Sequence, residues 1–437
     1  TSFPDQLLPV IVYIHGGAYY FLSSAEFGPR YLLDHDVVLV SINYRIGIPG
    51  FGSTGDYLLP GNLGLKDQIK ALKWIKRNIH FFSGDKKSVT LVGMSSGAAS
   101  VHFHYFSKLS KGLFHKGFMI GGTGTQPWSM QMNPRSTLKN ISKNLNCPAN
   151  SSFDMVACLE RLSPKELAMG IRTVQNKKLF PASPVAAVVD NHSHKPFLIE
   201  YPYQSLQNGR VRNIPLLISN VKMEGIFFGA VITEDEDELN IINNDWYVQG
   251  RWFLDLEHDV PEVYWNRTLK KVREYYFNDR PIDQSTKSNV LEMLSDRYFL
   301  AQTMKTVALH TRFNPNVYYY IFDYRGAQST SQRLTENSSS YGPSHIDDLF
   351  YLFNVTNRRD LESNSTDLLM IQRMTSMLAT FAKTGIPLFD TDVNFLRVRK
   401  STSVYGPVRA LMIKSPDSME MTELENWGSV QFWESLH

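Results

Sequence analysis

Ser88-Val89-Thr90-Leu91-Val92-Gly93-Met94-Ser95-Ser96-Gly97 is the stretch on which the fold turns. Its first half is β-branched and apolar, the composition of a buried strand. Its second half fits G-x-S-x-G, and Ala98-Ala99-Ser100 opens a stretch that reads as a helix. Strand, sharp turn and helix are the context that lifts a serine hydroxyl above a sheet, where a base and a substrate reach it. Small residues flank the serine because the turn is strained and the helix passes close by.

Eighty residues upstream, the apolar run Val10-Ile11-Val12-Tyr13-Ile14 ends in His15-Gly16-Gly17-Ala18-Tyr19. Adjacent glycines leave backbone N–H groups uncovered, so an oxyanion can approach them. Gly16 and Gly17, with the N–H of Ser96 just after the serine, are the expected oxyanion donors.

A serine nucleophile needs a base, and the base needs an orienting acid. Ile214-Pro215-Leu216-Leu217-Ile218-Ser219 reads as a buried strand, with Glu224 in the loop beyond its C-terminal end. Val317-Tyr318-Tyr319-Tyr320-Ile321-Phe322 reads as another strand, and His345 follows in the loop Gly342-Pro343-Ser344-His345. Loops past the carboxyl ends of strands are where α/β sheets carry their sites. Between the first strand and the serine, Leu65, Ile69, Leu72, Ile75 and Ile79 recur at helical spacing, with Lys66, Lys70, Lys73 and Arg77 on the other face. Apolar strands alternating with such helices predict an α/β fold with a mostly parallel, twisted sheet flanked by helices.

The motifs together resemble the type-B carboxylesterase and cholinesterase family of α/β-hydrolases, and most of all its secreted insect members of the venom carboxylesterase kind. Asn43-Tyr44-Arg45, Gly50-Phe51, Ser53-Thr54-Gly55-Asp56, Gly61 to Gln68 and Ser344-His345 followed by Asp347-Asp348-Leu349 carry the resemblance, which runs to Phe432-Trp433. It implies an α/β-hydrolase fold in one domain over residues 1–437. It also implies a serine carboxylic-ester hydrolase acting on small-molecule carboxyl esters. By position, Ser95 is its nucleophile, Glu224 its triad acid and His345 its general base, and neither metal nor organic cofactor takes part. Trp128, Phe227 and Phe228 fall near these motifs as pocket or core residues. Relatives that have lost the triad act as binding proteins, and a sequestering esterase would acylate and release slowly. All three triad positions are filled here, which favours catalysis.

Some positions depart from the family pattern. Ser96 stands where alanine is usual and brings a hydroxyl next to the nucleophile. Ala18 replaces a third glycine, Ile346 a frequent glycine, and Gly121 a frequent serine. Met94 is not the glutamine usual in juvenile hormone esterases.

The chain has 437 residues, 43% of them hydrophobic, enough for a large soluble domain. A net charge of +3 from 45 basic and 42 acidic residues gives no electrostatic case for nucleic acid. No apolar run is long enough for a transmembrane helix. The acidic run Glu234–Glu238 reads as a solvated loop or helix start, and 328–340 as a long surface loop. His102 and His104 form H-x-H, but helical residues two apart share no face, so no metal site is expected. Cys147 and Cys158 are the only cysteines. Alone they fit two buried thiols or one bridge; the family resemblance implies a disulfide at this spacing and a secreted protein. Asn140, Asn150, Asn191, Asn266, Asn337, Asn354 and Asn364 each open an N-x-[S/T] glycosylation sequon. Thr1-Ser2-Phe3-Pro4 shows no signal-peptide pattern. Family members carry a substantial segment before the His-Gly-Gly block, so the chain reads as lacking its N-terminal part.

Overall fold

A computed structural model describes residues 6–175, 183–335, 341–356, 361 and 365–436. The first four residues and the sequons at Asn337 and Asn364 lie outside these. Eight strands form one sheet: β1 (Leu8–Ile14), β2 (Val38–Ile42), β3 (Gly84–Met94), β4 (Lys116–Ile120), β5 (Leu216–Val221), β6 (Val317–Phe322), β7 (Val408–Ser415) and β8 (Ser418–Leu424). Their spatial order is β8-β7-β6-β5-β4-β3-β1-β2. Every neighbouring pair is parallel except the terminal hairpin of β7 and β8. This is the expected doubly wound α/β sheet, although β5 begins and ends two residues later than the apolar run that announced it.

The helices relevant to the site are α1 (Leu63–Asn78), α2 (Ser96–Phe106), α3 (Ile226–Thr233), α4 (Glu236–Asn244), α5 (Lys287–Ser295), α6 (Ala301–His310), α7 (Thr330–Thr335) and α8 (Ser365–Thr384). Alternate strand residues point to opposite faces, and each face finds its own helices. Val10, Val12, Leu91 and Ile218 join Leu65, Ile69, Leu72 and Ile75 of α1 and Val101 and Phe103 of α2 in one core. Ile11, Tyr13, Val92, Phe118 and Tyr320 join Met370, Met374, Met377 and Phe381 of α8 in the other. With both faces covered, the strands must be apolar throughout rather than alternating. That is why β1, the second half of β3 and β6 stand out as hydrophobic runs, while β3 enters through the polar Asp85-Lys86-Lys87-Ser88.

The predicted α1 is present, starting two residues earlier than its first apolar marker. The acidic run turns out to be a helix start: the Asp235 carboxylate accepts the Glu238 N–H at 3.1 Å and caps α4. The expected surface loop over 328–340 is not one in its described part. Residues 330–335 form α7, and Ser329, Thr330 and Ser331 are buried. Their backbone finds side-chain partners: the Thr330 N–H donates to the Asp347 carboxylate at 2.8 Å, the Ser329 N–H to the Gln332 side-chain oxygen and the Ser331 N–H to the Ser329 hydroxyl, both at 3.2 Å, while Asp347 also accepts the Ser344 N–H at 2.8 Å. A Ser- and Thr-rich composition signals a loop only when no buried partner exists for it. Cys147 and Cys158 form a disulfide. No helix among the described residues is long and apolar enough to cross a membrane.

Candidate active site

Ser95 sits between β3 and α2 with φ 56° and ψ −122°, a conformation few side chains adopt. Its N–H donates to the Ile120 carbonyl of β4 at 2.8 Å, and its own carbonyl accepts the Ala99 N–H at 3.0 Å. The flanking glycines are required by space. A Cβ on Gly93 would lie 2.2 Å from the Gly97 carbonyl oxygen, and one on Gly97 2.2 Å from that of Ile14. The turn therefore closes only if both positions lack side chains.

The loop after β1 curls over this turn. His15 supports it without facing the serine: its Nδ1 lies 2.9 Å from the Gly16 carbonyl, and its ring stacks on Tyr44 at 4.5 Å. Gly17 and Ala18 line the cavity that holds Ser95, whereas Gly16 does not. Gly16 lies behind the rim, where a Cβ would come within 2.5 Å of the Met94 carbonyl. The Ser96 hydroxyl turns away from Ser95 and accepts the Tyr19 N–H at 3.2 Å.

Glu224 and His345 meet although 121 residues separate them. The Glu224 Oε2 lies 2.5 Å from His345 Nδ1. The other oxygen, Oε1, accepts the Asn220 side-chain amide at 2.7 Å and the Val221 N–H at 3.1 Å. Glu224 is fully buried, so this complete set of partners is what allows a carboxylate there. Gly121, at φ 58°, makes room for the pair: a Cβ would sit 2.9 Å from the His345 ring. Phe299 lies against that ring at 4.6 Å between centroids, and Phe227 meets it edge-on at 5.5 Å. Ile346 holds φ 71°, a strained choice for a β-branched residue, and turns the chain after the histidine.

A second buried acid stands close by. Asp348 accepts the Ser219 hydroxyl at 2.8 Å and the Tyr320 phenol at 2.9 Å. Burial, reinforced by the Glu224 charge, pushes its carboxyl up to about 6. Sequence reasoning quoted Asp347-Asp348 only as part of a block and Ala18 only as a departure from the family pattern, and it missed Asn220 and Phe299. Phe299 is presented by a π-helical turn, Asp296–Leu300, joining α5 to α6. Such turns often accompany functional sites.

Ser95 and His345 open into one cavity of about 430 Å³. Met94, Trp128, Phe227, Phe228, Phe299 and Ile346 form part of a mostly apolar wall, and among the described residues the charged ones lining it are Glu26 and Arg333. Trp128 is fixed by donating its indole N–H to the Tyr298 carbonyl at 2.9 Å. Another hollow of about 460 Å³ lies beyond Ser183, lined by polar groups such as Gln131, Asn140, Lys143 and Arg251. It is similar in size but contains neither Ser95 nor His345.

A serine on a strained strand–helix turn, an acid-paired histidine in the same apolar cavity and a parallel sheet with both faces covered define an α/β-hydrolase. The profile described as "Carboxylesterase family" matches residues 2–427, and the chain belongs to that family of serine hydrolases acting on carboxylic esters. It is 37% identical to Esterase E4 of Myzus persicae, over 99% of this chain and 78% of that one. It is 32% identical to Venom carboxylesterase-6 of Apis mellifera, over 98% and 76%. Among solved structures it resembles Juvenile Hormone Esterase from Manduca sexta with OTFP covalently attached, at TM-score 0.85 and 26% identity, covering 99% of this chain and 81% of that one.

The H-x-H histidines have other partners. His104 lies 2.7 Å from the Ser110 hydroxyl and 3.0 Å from Gln68 Oε1. His102 Nδ1 accepts the Gly124 N–H at 2.9 Å, which leaves its Nε2–H to donate to His310 Nε2, also at 2.9 Å. Among the described residues, His310 Nδ1 is then a buried donor without a hydrogen-bond partner. Burial lowers all three imidazoles, His104 and His310 to about 3 and His102 well below its usual value. A folded-state value below the unfolded one of about 6.5 gives stability that is full above pH 6.5 and lost as pH falls toward 3. Buried Asp296, raised to about 7, and Asp348 act in the opposite sense, so the test is differential. His310→Gln is expected to make the fall of Tm between pH 6.5 and 4 shallower than in the wild type. An unchanged slope would show that His310 is not held neutral.

Proposed function

We propose that Ser95 is the nucleophile, His345 the general base and Glu224 the orienting acid of a carboxylesterase working through an acyl-enzyme. The observation that carries this reading is the buried Glu224–His345 contact of 2.5 Å beside a serine at φ 56° in the same cavity. His345 takes the Ser95 proton as the hydroxyl attacks an ester carbonyl, and Glu224 holds the ring and offsets its charge. Collapse of the tetrahedral intermediate expels the alcohol, to which His345 returns the proton. Water then attacks the acyl-enzyme with His345 again as base. The donors to the oxyanion are the N–H groups of Gly17, Ala18 and Ser96; the cavity lining favours Ala18 over Gly16. The apolar wall suits esters with hydrophobic acyl or alcohol groups.

We read the whole chain as one catalytic unit, because the site draws on segments from Gly17 to His345. We also read the protein as secreted and glycosylated. The disulfide fits an oxidising compartment, and a venom protein is among its relatives. Asn140, Asn150 and Asn266 are exposed and open to modification; Asn191 is exposed too, although its side-chain amide donates to the Ile199 carbonyl at 3.1 Å. Asn354 is not, because its side-chain oxygen accepts the Arg30 N–H at 2.9 Å and its amide lies over Gly28.

Hydrolysis of p-nitrophenyl acetate and butyrate tests the catalytic reading. Turnover is expected in the wild type and a loss on the order of 10⁴ in Ser95→Ala and His345→Ala. A burst without turnover would indicate sequestration, and full activity in either variant would sink the assignment. For the protein secreted from insect cells, peptide mapping after enzymatic deglycosylation is expected to mark exposed sequons and leave Asn354 unmarked. A marked Asn354 would contradict the argument that its side chain is held by Arg30 and Gly28.

A further inference from the structure

Ser96 does more than follow the nucleophile. Gly17, Ala18 and Tyr19 have φ of 95°, 47° and 64°, so three consecutive residues are left-handed and two of them are not glycine. Tyr19, with its large ring, is a true outlier in that region. Such backbone persists only where its surroundings over-determine it.

Some of the fixing is internal to the turn: the Tyr20 and Phe21 N–H groups both donate to the Gly17 carbonyl, at 2.9 and 3.0 Å. Some comes from behind it. The Gly47 N–H donates to the Tyr19 carbonyl at 2.6 Å, and the Tyr19 ring packs on Phe51 at 4.6 Å. None of these contacts refers the turn to the serine. The bond from the Tyr19 N–H to Ser96 Oγ, 3.2 Å long and fully buried, does so. Tyr44 completes the brace. Its phenol donates to the His15 carbonyl at 2.7 Å, which holds the start of the same loop.

We infer that the Ser96 side chain is a positioning residue that sets the distance between the two halves of the oxyanion hole, Gly17–Ala18 on one loop and its own N–H on the other. The inference rests on the reading of Ser95 as nucleophile. The donors must meet an oxygen whose position changes by less than an ångström during reaction, and removing one donor typically costs 10²–10³ in rate. Loosening two of them together is expected to cost less than full removal, because the rest of the turn stays anchored.

Ser96→Ala leaves the Tyr19 N–H buried without a partner. Ser96→Cys keeps nearly the same volume and a weak sulfur acceptor. With p-nitrophenyl butyrate, kcat is expected to fall about 10- to 100-fold in the alanine variant, with KM within about threefold, and the cysteine variant to fall between. Inhibition by an alkyl trifluoromethyl ketone, whose hemiketal anion occupies the hole, is expected to weaken in parallel with kcat/KM. A merely structural role would lower Tm and leave kcat and ketone affinity within twofold of wild type; that result overturns the inference. Ser95→Ala, assayed alongside, separates the two ideas: persistent turnover there defeats the nucleophile assignment, whatever Ser96 does.

Discussion

The active centre depends on how closely the chain passes itself where β3 turns into α2. Gly93 and Gly97 nearly touch, and Gly97 lies against the carbonyl end of β1. One methyl group at either position would force the helix away from the sheet. That closeness lifts Ser95 out of the regular backbone and brings the Ser96 N–H beside the loop that follows β1. The cost is a strained serine, and the parallel sheet anchors it from below through the Ser95 N–H and the Ile120 carbonyl. Rigid packing on both sheet faces is what keeps such strain from relaxing.

Around that turn the structure manages buried charge with unusual completeness. Glu224 has partners on both oxygens, and Asp347 and Asp348 each accept two hydrogen bonds. A carboxylate held this way cannot swing, so the imidazole it faces is held in one orientation. The aromatic wall built from Trp128, Phe227 and Phe299 limits water near the same ring. A low local dielectric strengthens any hydrogen bond that forms there during reaction. The Tyr19–Ser96 bond extends the same economy to the oxyanion side, using a hydroxyl where a methyl would fill the space.

Local signals in the chain were enough to place β1, the apolar half of β3, β5, β6, α1 and the strand–turn–helix at Ser95, because burial on both sheet faces writes continuous apolar runs; β2, β4, β7 and β8 were not read from sequence. Glu224 and His345 were legible as loop residues past strand ends, and their pairing came from resemblance, since nothing local joins positions 121 apart. Other features had no local signature. Phe299 reaches the cavity through a π-helical turn, which sequence periodicity does not mark. Ala18 rather than Gly16 lines the cavity because of three successive left-handed residues, and only Gly17 among them advertises that conformation. The segment from 328 looked like a loop, yet its buried backbone is satisfied by Asp347 together with its own Ser329 and Gln332 side chains. Ser96 looked like an added hydroxyl beside the nucleophile, yet its side chain points to the neighbouring loop.

The most direct test of the account is to trap the covalent intermediate. Wild-type protein mixed with p-nitrophenyl butyrate and quenched in acid within milliseconds would be digested and mapped by tandem mass spectrometry. A butyryl group on Ser95, and on no other residue, is the predicted result. A burst of p-nitrophenol with the acyl group on Ser96 or elsewhere, or hydrolysis with no acylated residue at any quench time, would contradict it.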